Sequence, residues 1–454
     1  MASDREAVVW TRIGNTPAKM GRLLVTDSQC RFTYDTEFIA TGLPGLGVLY
    51  APDFIGATTI AWERTAQFDL LPQLQSLIPP QGESNFQRRL VLSYLQQQGI
   101  TPAPGFDSDW AILMVSGHGG IGHLDVFPND AKAAEWYANK TQPALFRIGD
   151  DFGFSLKGLM TWMDGDAEAI IGALGPTPSV GGAIPKLLLS IPVGGWDGWI
   201  GLPRKRSIEG RTDVILKFES GNYPGIVALE ALTLELHRAA GLEVPRHWTT
   251  SINGIPAMAI ERYDRTPGGA PLFVESLYAA MASGDKRITH HYSSSYDSIG
   301  YAIDRSPIPI VSDPRAAKQH LLQRLLLAFA TGNGDLHLEN LALVRRDTHT
   351  TFSPVYDPTP MRAYSRHDML CVMPFGNYGE MDEKDRAIDL PEGLRRLAKN
   401  LAIAKKQLRD MIAEVLAVTA TYGARVADLT SLPDANKQHL VAVVARVRKD
   451  LTRV

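Results

Sequence analysis

Residues 332–340 read Gly-Asn-Gly-Asp-Leu-His-Leu-Glu-Asn, between a strongly apolar helical stretch and a short apolar strand at Leu341–Val344. A second acidic turn, Pro354-Val355-Tyr356-Asp357-Pro358, follows one hairpin later. The pattern is Asp335-x-His337-x-x-Asn340, a hairpin, then Asp357. It constrains the fold because a core helix must end at the loop while the hairpin returns a second carboxylate to it. Phosphoryl transfer from ATP asks for these parts: one carboxylate to accept the hydroxyl proton, and an amide oxygen with a second carboxylate to hold Mg²⁺. Mg²⁺ keeps several waters, so one Asn and one Asp suffice as protein ligands. Asp335 is therefore expected as the base, Asn340 and Asp357 as metal ligands, and His337 as an orienting residue. Gly-Asn-Gly-Asp alone would read as a polar turn; the remaining matched positions favour the catalytic reading.

Upstream features supply nucleotide-binding elements. Residues 178–190 read Pro-Ser-Val-Gly-Gly-Ala-Ile-Pro-Lys-Leu-Leu-Leu-Ser, a glycine turn before an apolar strand. Glycines let backbone N–H groups approach and cradle phosphate oxygens. Val180, Gly181, Gly182, Ala183 and Lys186 are the candidate contacts there. The strand Thr212–Phe218 is apolar except near its ends, where Lys217 calls for an anionic partner if buried. A helix from about Pro224 to Ala240, stopped by Gly241, carries Glu230 near its start as a possible partner of Lys217. The next strand ends at Ile260, Glu261 and Arg262, where backbone groups are expected to read adenine; the run Glu261–Arg265 reads equally as a surface charge cluster.

The chain has 454 residues, enough for two or three subdomains. Hydrophobic content of 44%, charged content of 21% and a net charge of −3 suit a soluble globular protein without a basic nucleic-acid footprint. Two distant cysteines, Cys30 and Cys371, give no disulfide framework or zinc spacing. The charged N-terminus argues against a signal peptide, and no run approaches the roughly 18 apolar residues of a membrane helix. A cytoplasmic protein without membrane contact is expected.

Alternating apolar runs between residues 7 and 35 predict a small antiparallel sheet. Helices are expected at Phe68–Ile78 and at Ser84–Gln97, the second capped by Ser84. The glycines of Ser116–Gly122 lack the ending of a Walker loop and read as a structural turn. Thr289–Asp297 reads as a polar, aromatic loop, with a position near the substrate as the lesser reading; adjacent His290 and His291 lack metal-ligand spacing on a helix. Asp313-Pro314 opens the core helix that delivers the catalytic loop, and helices recur at Pro391–Thr421 and Pro433–Leu451. The expected organisation is an N-terminal subdomain at 1–150, an ATP-binding portion at 151–262 and a mainly helical lobe at 263–454.

With these residues in view, the chain resembles the HipA family of bacterial toxin kinases. The resemblance runs through residues 179–186, Lys217, the Glu230 helix with residues 241–245, residues 261–265, Asp335-x-His337-x-x-Asn340 and Tyr356-Asp357. It implies an α+β, protein-kinase-like two-lobed fold with an extra N-terminal α/β subdomain and an all-helical C-terminal lobe. It implies a serine/threonine kinase using ATP and Mg²⁺, with Lys217 on the phosphates and Ser179 as a self-inactivating autophosphorylation site. It further implies an aminoacyl-tRNA synthetase as substrate, a HipB-like helix-turn-helix antitoxin as partner, and DNA contact only through that antitoxin. Glu339 stands where a basic residue is frequent in the family. Two alternatives are a small-molecule phosphotransferase of the aminoglycoside or choline kind and a catalytically silent adaptor. Ser179 within the glycine-rich loop and the N-terminal subdomain argue against the first, and the intact set Lys217, Asp335, Asn340 and Asp357 against the second.

Overall fold

The computed structural model describes residues 4–82, 85–139, 145–147, 186–204, 208–252 and 254–454. Ser179, Val180, Gly181, Gly182 and Ala183 of the glycine-rich turn lie outside the described residues, as does Ser84. The chain forms two compact units. One comprises Met1–Ser220, Arg246–Glu275 and Ala282–Gly284; the other comprises Gly221–Pro245, Ser276–Met281 and Asp285–Val454.

Among the described residues, the first unit holds two larger antiparallel sheets and the short pair Phe146–Arg147 with Trp199–Ile200. In the N-terminal one the order is Thr59–Glu63, Gln29–Tyr34, Ala18–Val25, Arg5–Thr11, Asp125–Phe127. Period-two alternation is plain in Gln29–Tyr34, where Cys30, Phe32 and Tyr34 are buried and Arg31 and Thr33 face water. The expected helix at Phe68–Ile78 shrinks to Pro72–Gln75. Pro72 disfavours helix in the residue before it, and Pro79-Pro80 prevents continuation. The apolar content is used all the same, since Phe68, Leu70, Leu71, Leu74, Leu77 and Ile78 are buried. The next helix, Phe86–Gln97, is capped by Asn85, whose side chain accepts the Arg88 N–H, in place of the expected Ser84.

The second sheet has the order His247–Ile252, Ile255–Glu261, Arg211–Phe218, Lys186–Pro192. One face contributes Leu187, Leu189, Ile191, Val214, Leu216, Phe218, Ala257 and Ala259 to a hydrophobic core. Alternation puts Lys186 and Lys217 on the opposite face, directly across from each other in the register, with Met258 beside Lys217. Both lysines are buried, each 3% exposed.

Residues 261–265, which read equally well as a surface cluster, are largely an internal ionic clamp. Arg262, Asp264 and the Arg265 side chain are buried, and Asp264 pairs with both guanidinium groups at 2.7 Å. The clamp closes on the glycine turn after the helix Phe106–Ser116. Asp264 Oδ2 accepts the Gly122 N–H at 2.8 Å, and Arg265 donates to the carbonyls of Gly122 and Gly120 at 2.9 and 2.6 Å. Arg262 also donates to the Gly120 carbonyl. Burial opposes ionisation of Asp264, but the two arginines and the Gly122 N–H outweigh it and hold the carboxyl at about 2. The glycine turn of residues 117–122 is thus structural.

The second unit is mainly helical. Ile226–Ala239, Pro314–Thr331, Leu390–Asn400, Lys405–Val418 and Asp434–Leu451 are its longer helices, and Ala342–Arg346 pairs with His349–Phe352 as a hairpin. Asp313 caps Pro314–Thr331 by accepting the Ala316 N–H at 2.9 Å. Among the described residues no helix is long and apolar enough to cross a membrane.

Two predictions concern the first unit. Asp264→Asn leaves two buried guanidinium groups without their anion and is expected to cost about 3–5 kcal/mol, read from the urea midpoint of unfolding. Glu275 is fully buried and pushed up to about 7 by burial, against hydrogen bonds from Gln73 and the Val48 N–H. A carboxyl raised on folding stabilises the native state below its unfolded pKa, and that contribution is lost as pH rises through the folded value. Wild-type stability relative to Glu275→Gln is expected to fall between about pH 4.5 and 7, by up to about 1.4 kcal/mol per pH unit, and then level off. Melting temperatures of both proteins across that range check it.

Candidate active site

The loop at residues 332–340 begins where the helix Pro314–Thr331 must stop. Gly332 adopts φ +77, the left-handed conformation that ends helices. A Cβ there would meet Leu440 Cδ1 at 2.6 Å, and one at Gly334 would meet the Met369 carbonyl oxygen at 2.4 Å. Both glycines are therefore required, the first for backbone conformation and contact, the second for space.

Side chains satisfy the loop's own backbone. Asn333 Oδ1 accepts the Asp335 N–H at 2.9 Å, and Asn340 Nδ2 donates to the Asp335 carbonyl at 2.8 Å. His337 caps the short turn Leu338–Asn340, its Nδ1 accepting the Glu339 N–H at 3.2 Å. Tyr296 Oη donates to the Leu336 carbonyl at 2.5 Å, and the buried Arg324 donates to the Asn340 carbonyl at 3.3 Å. Tyr356 Oη donates to the Glu339 carbonyl, tying the second acidic turn to the loop. Beside it, Asp357 adopts φ +53, and Thr359 Oγ1 donates to its Oδ1 at 3.3 Å. Positive φ is uncommon outside glycine, though Asp tolerates it better than most. Asp335, His337 and Asn340 are brought together in one loop of the second unit, and Tyr356, next to Asp357, is bonded to that loop.

The Asp335 carboxylate is flanked on both oxygens. Oδ1 accepts the Tyr292 hydroxyl at 3.3 Å, and Oδ2 faces His337 Nε2 at 3.8 Å. Because His337 Nδ1 accepts a backbone N–H, the proton of the neutral ring sits on Nε2 and points toward Asp335. His291, His337 and Glu339 place possible ligand atoms within 4.8 Å of one another. A metal-bound histidine donates its second ring nitrogen to an acceptor, whereas His337 accepts at Nδ1, so this trio is wired for hydrogen bonding. Burial, followed by His290, pushes His291 down to about 4, so its ring is neutral near pH 7. The hard oxygens of Asn340 and Asp357 are the better cation donors.

The other expected residues divide between the units. Lys186 and Lys217 face each other on the sheet of the first unit, and like charges directly opposite require a counter-anion. Glu230 is buried on the helix Ile226–Ala239 of the second unit. Ile260 is buried in its strand; Glu261 makes a two-pronged bond to Arg246 at 2.8 and 2.7 Å; Arg262 belongs to the clamp. The N–H groups of Glu261 and Arg262 donate to the carbonyls of Arg246 and Asp213, so these two residues have only their carbonyls left to offer a ligand from the backbone. Sequence reasoning did not find Tyr292, Asn333, Arg324 or Tyr356. A polar, aromatic loop was the sole sign of the first; Asn333 and Tyr356 lie within the quoted motifs without an assigned role, and nothing local marks Arg324.

Residues 178–422 match the family described as HipA-like C-terminal domain. The chain is 25% identical over 370 residues to the provisionally named kinase Y4mE of Sinorhizobium fredii, covering 79% of each chain. It is 26% identical over 224 residues to the serine/threonine-protein kinase toxin HipA of Shewanella oneidensis, covering 44% of this chain and 50% of that one. A provisionally named kinase of Haemophilus influenzae is 26% identical over 196 residues, 41% of this chain and 53% of its own. The alignments thus span about half the length of these last two relatives. Among solved structures, Shewanella oneidensis MR-1 HipA, in a complex with HipB and operator DNA, matches with a TM-score of 0.64 and 18% identity over 98% of this chain and 97% of that one. The likeness in fold is α+β and kinase-like.

Gly332→Ala and Gly241→Ala form a matched pair, since both sit at positive φ but only Gly332 has a neighbour in the way. Each is expected to lose about 1–2 kcal/mol for the left-handed backbone, with Gly332→Ala losing more through Leu440. Parallel chemical denaturation measures the difference.

Proposed function

With residues 178–422 under its match, this chain belongs to the HipA-like C-terminal domain family, and from that premise we propose that it is an ATP-dependent kinase acting on serine or threonine hydroxyls of a protein. The observation that carries the proposal is the coupling of Asp335 to Asn340 within one hydrogen-bonded loop, with Asp357 tied to it through Tyr356. In this reading Asp335 accepts the acceptor's hydroxyl proton as that oxygen attacks the γ-phosphorus. His337 holds the carboxylate's orientation through its Nε2 proton. Asn340 and Asp357 would hold Mg²⁺, which would neutralise charge on the phosphates.

The facing lysines, Lys186 and Lys217, receive phosphate oxygens, whose charge offsets the cost of burying two ammonium groups together. Glu230 is the proposed partner of Lys217. The backbone of Ile260, Glu261 and Arg262 is the proposed adenine edge, read through carbonyl acceptors at Glu261 and Arg262. Val180, Gly181, Gly182 and Ala183 form the proposed phosphate turn, and Ser179 is its autophosphorylation site, where an added dianion would repel the nucleotide's phosphates. The relative of like fold, solved with HipB and operator DNA, supports a HipB-like helix-turn-helix antitoxin as partner, with DNA reached only through it. The family resemblance supports an aminoacyl-tRNA synthetase as substrate.

Intact mass after incubation with ATP and Mg²⁺, for wild type, Asp335→Asn and Ser179→Ala, tests the reading. Wild type is expected to gain phosphate, Ser179→Ala to gain less, and Asp335→Asn to be slower by about 10²–10⁴-fold. A wild type that starts unmodified and neither gains phosphate nor turns over ATP overturns it.

A further inference from the structure

The segment Thr289–Ser295, which the reading above leaves without a role, is fastened to the catalytic loop. The Leu338 N–H donates to the His291 carbonyl at 3.2 Å. Tyr278 Oη holds the Thr289 carbonyl at 2.9 Å. Within the turn, the Ser293 N–H donates to the His290 carbonyl and the Tyr292 N–H to His290 Nδ1. The His291 ring packs 4.3 Å from His337, and the Tyr292 ring stands edge-on to His337 at 5.2 Å. The backbone bond to Leu338 and the ring contacts fix where the tyrosine sits, although Tyr292 itself is 38% exposed. Its hydroxyl then donates to Asp335 Oδ1 at 3.3 Å.

The acceptor of a kinase must place an O–H within hydrogen-bond reach of the base, at a distance that is often long before the nucleotide is bound. The hydroxyl that meets this condition here is the chain's own. We propose that Tyr292 is an intramolecular phosphoacceptor, modified by Asp335 of the same chain. The inference rests on the kinase reading and deepens it. Tyr292 Oη forms the new bond to the γ-phosphorus of ATP. The bond from that phosphorus to the β–γ bridging oxygen breaks, its electron pair leaves with ADP, and the hydroxyl proton passes to Asp335. No further reactant is needed. The product carries a near-dianionic phosphate beside the Asp335 carboxylate, so like-charge repulsion and lost space both deny the base to an external hydroxyl.

The test uses the full chain with ATP and Mg²⁺, followed by tandem mass spectrometry of the peptide containing Tyr292 over time and at two well-separated protein concentrations. Wild type is expected to acquire phosphate on Tyr292 with a rate constant independent of concentration. Asp335→Asn is expected to acquire it about 10²–10⁴-fold more slowly, and no faster when mixed with wild type. Phosphate accumulating on serine or threonine while Tyr292 stays unmodified overturns this inference and leaves the kinase reading standing. If Tyr292→Phe then also turns over an external acceptor faster, the tyrosine is an occluding side chain only. Phosphate on Tyr292 of Asp335→Asn supplied by wild type overturns the intramolecular step. Absence of any transfer overturns the kinase reading and this inference with it.

Discussion

The bond from Asn340 Nδ2 to the Asp335 carbonyl turns a polar loop into a fixed object. It commits the amide nitrogen of Asn340 to the loop, which is compatible with the proposed role of its oxygen as a cation ligand. The surrounding bonds follow the same logic. Nearly every buried backbone polar group must find a partner, and a loop without regular secondary structure has to find them in side chains. Asn333, His337, Tyr296, Arg324 and Tyr356 each meet one such group. The loop's geometry is therefore inherited from the helices and the hairpin that carry those side chains. The buried Arg324, on the helix that leads into the loop, reaches back to the loop's far end.

The first unit solves a related problem with charge. Its glycine turn at residues 117–122 has carbonyls and an N–H that no strand pairs, and the Arg262–Asp264–Arg265 clamp supplies donors and an acceptor for them. Such a buried ionic group stabilises little over an apolar replacement, but losing one member is severe. On the neighbouring sheet the opposite arrangement appears. Lys186 and Lys217 stand directly opposite each other in the register of otherwise apolar strands. A clamp whose charges match is an internal fastener, whereas a facing pair of like charges suits an anionic ligand, in keeping with the proposed phosphate role.

Much of the fold was legible because it depends on local rules. Asp313-Pro314 started a helix and Gly332 ended it; Gly241 ended another; alternation marked the strands of the N-terminal sheet, and continuous apolar runs those of the second. Errors arose where a local pattern had two solutions. Phe68–Ile78 is as apolar as a buried helix, yet Pro72 and the Pro79-Pro80 pair leave four helical residues and bury the rest as irregular chain. The run Glu261–Arg265 has the composition of a solvated face, and only its contact with a glycine turn more than a hundred residues away makes it interior.

The sequence by itself determined the elements and the identity of the chemical groups: a carboxylate, a histidine, an amide and a second carboxylate at spacings that a helix, a loop and a hairpin bring together. Tertiary structure decided which hydroxyl meets the carboxylate and which nitrogen of His337 carries the proton. It also decided that His291, adjacent to His290 and without helical ligand spacing, would pack against a loop more than forty residues on. The physical reason is range. Propensity, capping and alternation act within a few residues and can be read in order along the chain. A hydrogen bond between Tyr292 and Asp335 exists only after the intervening helices have packed, and no local pattern encodes it.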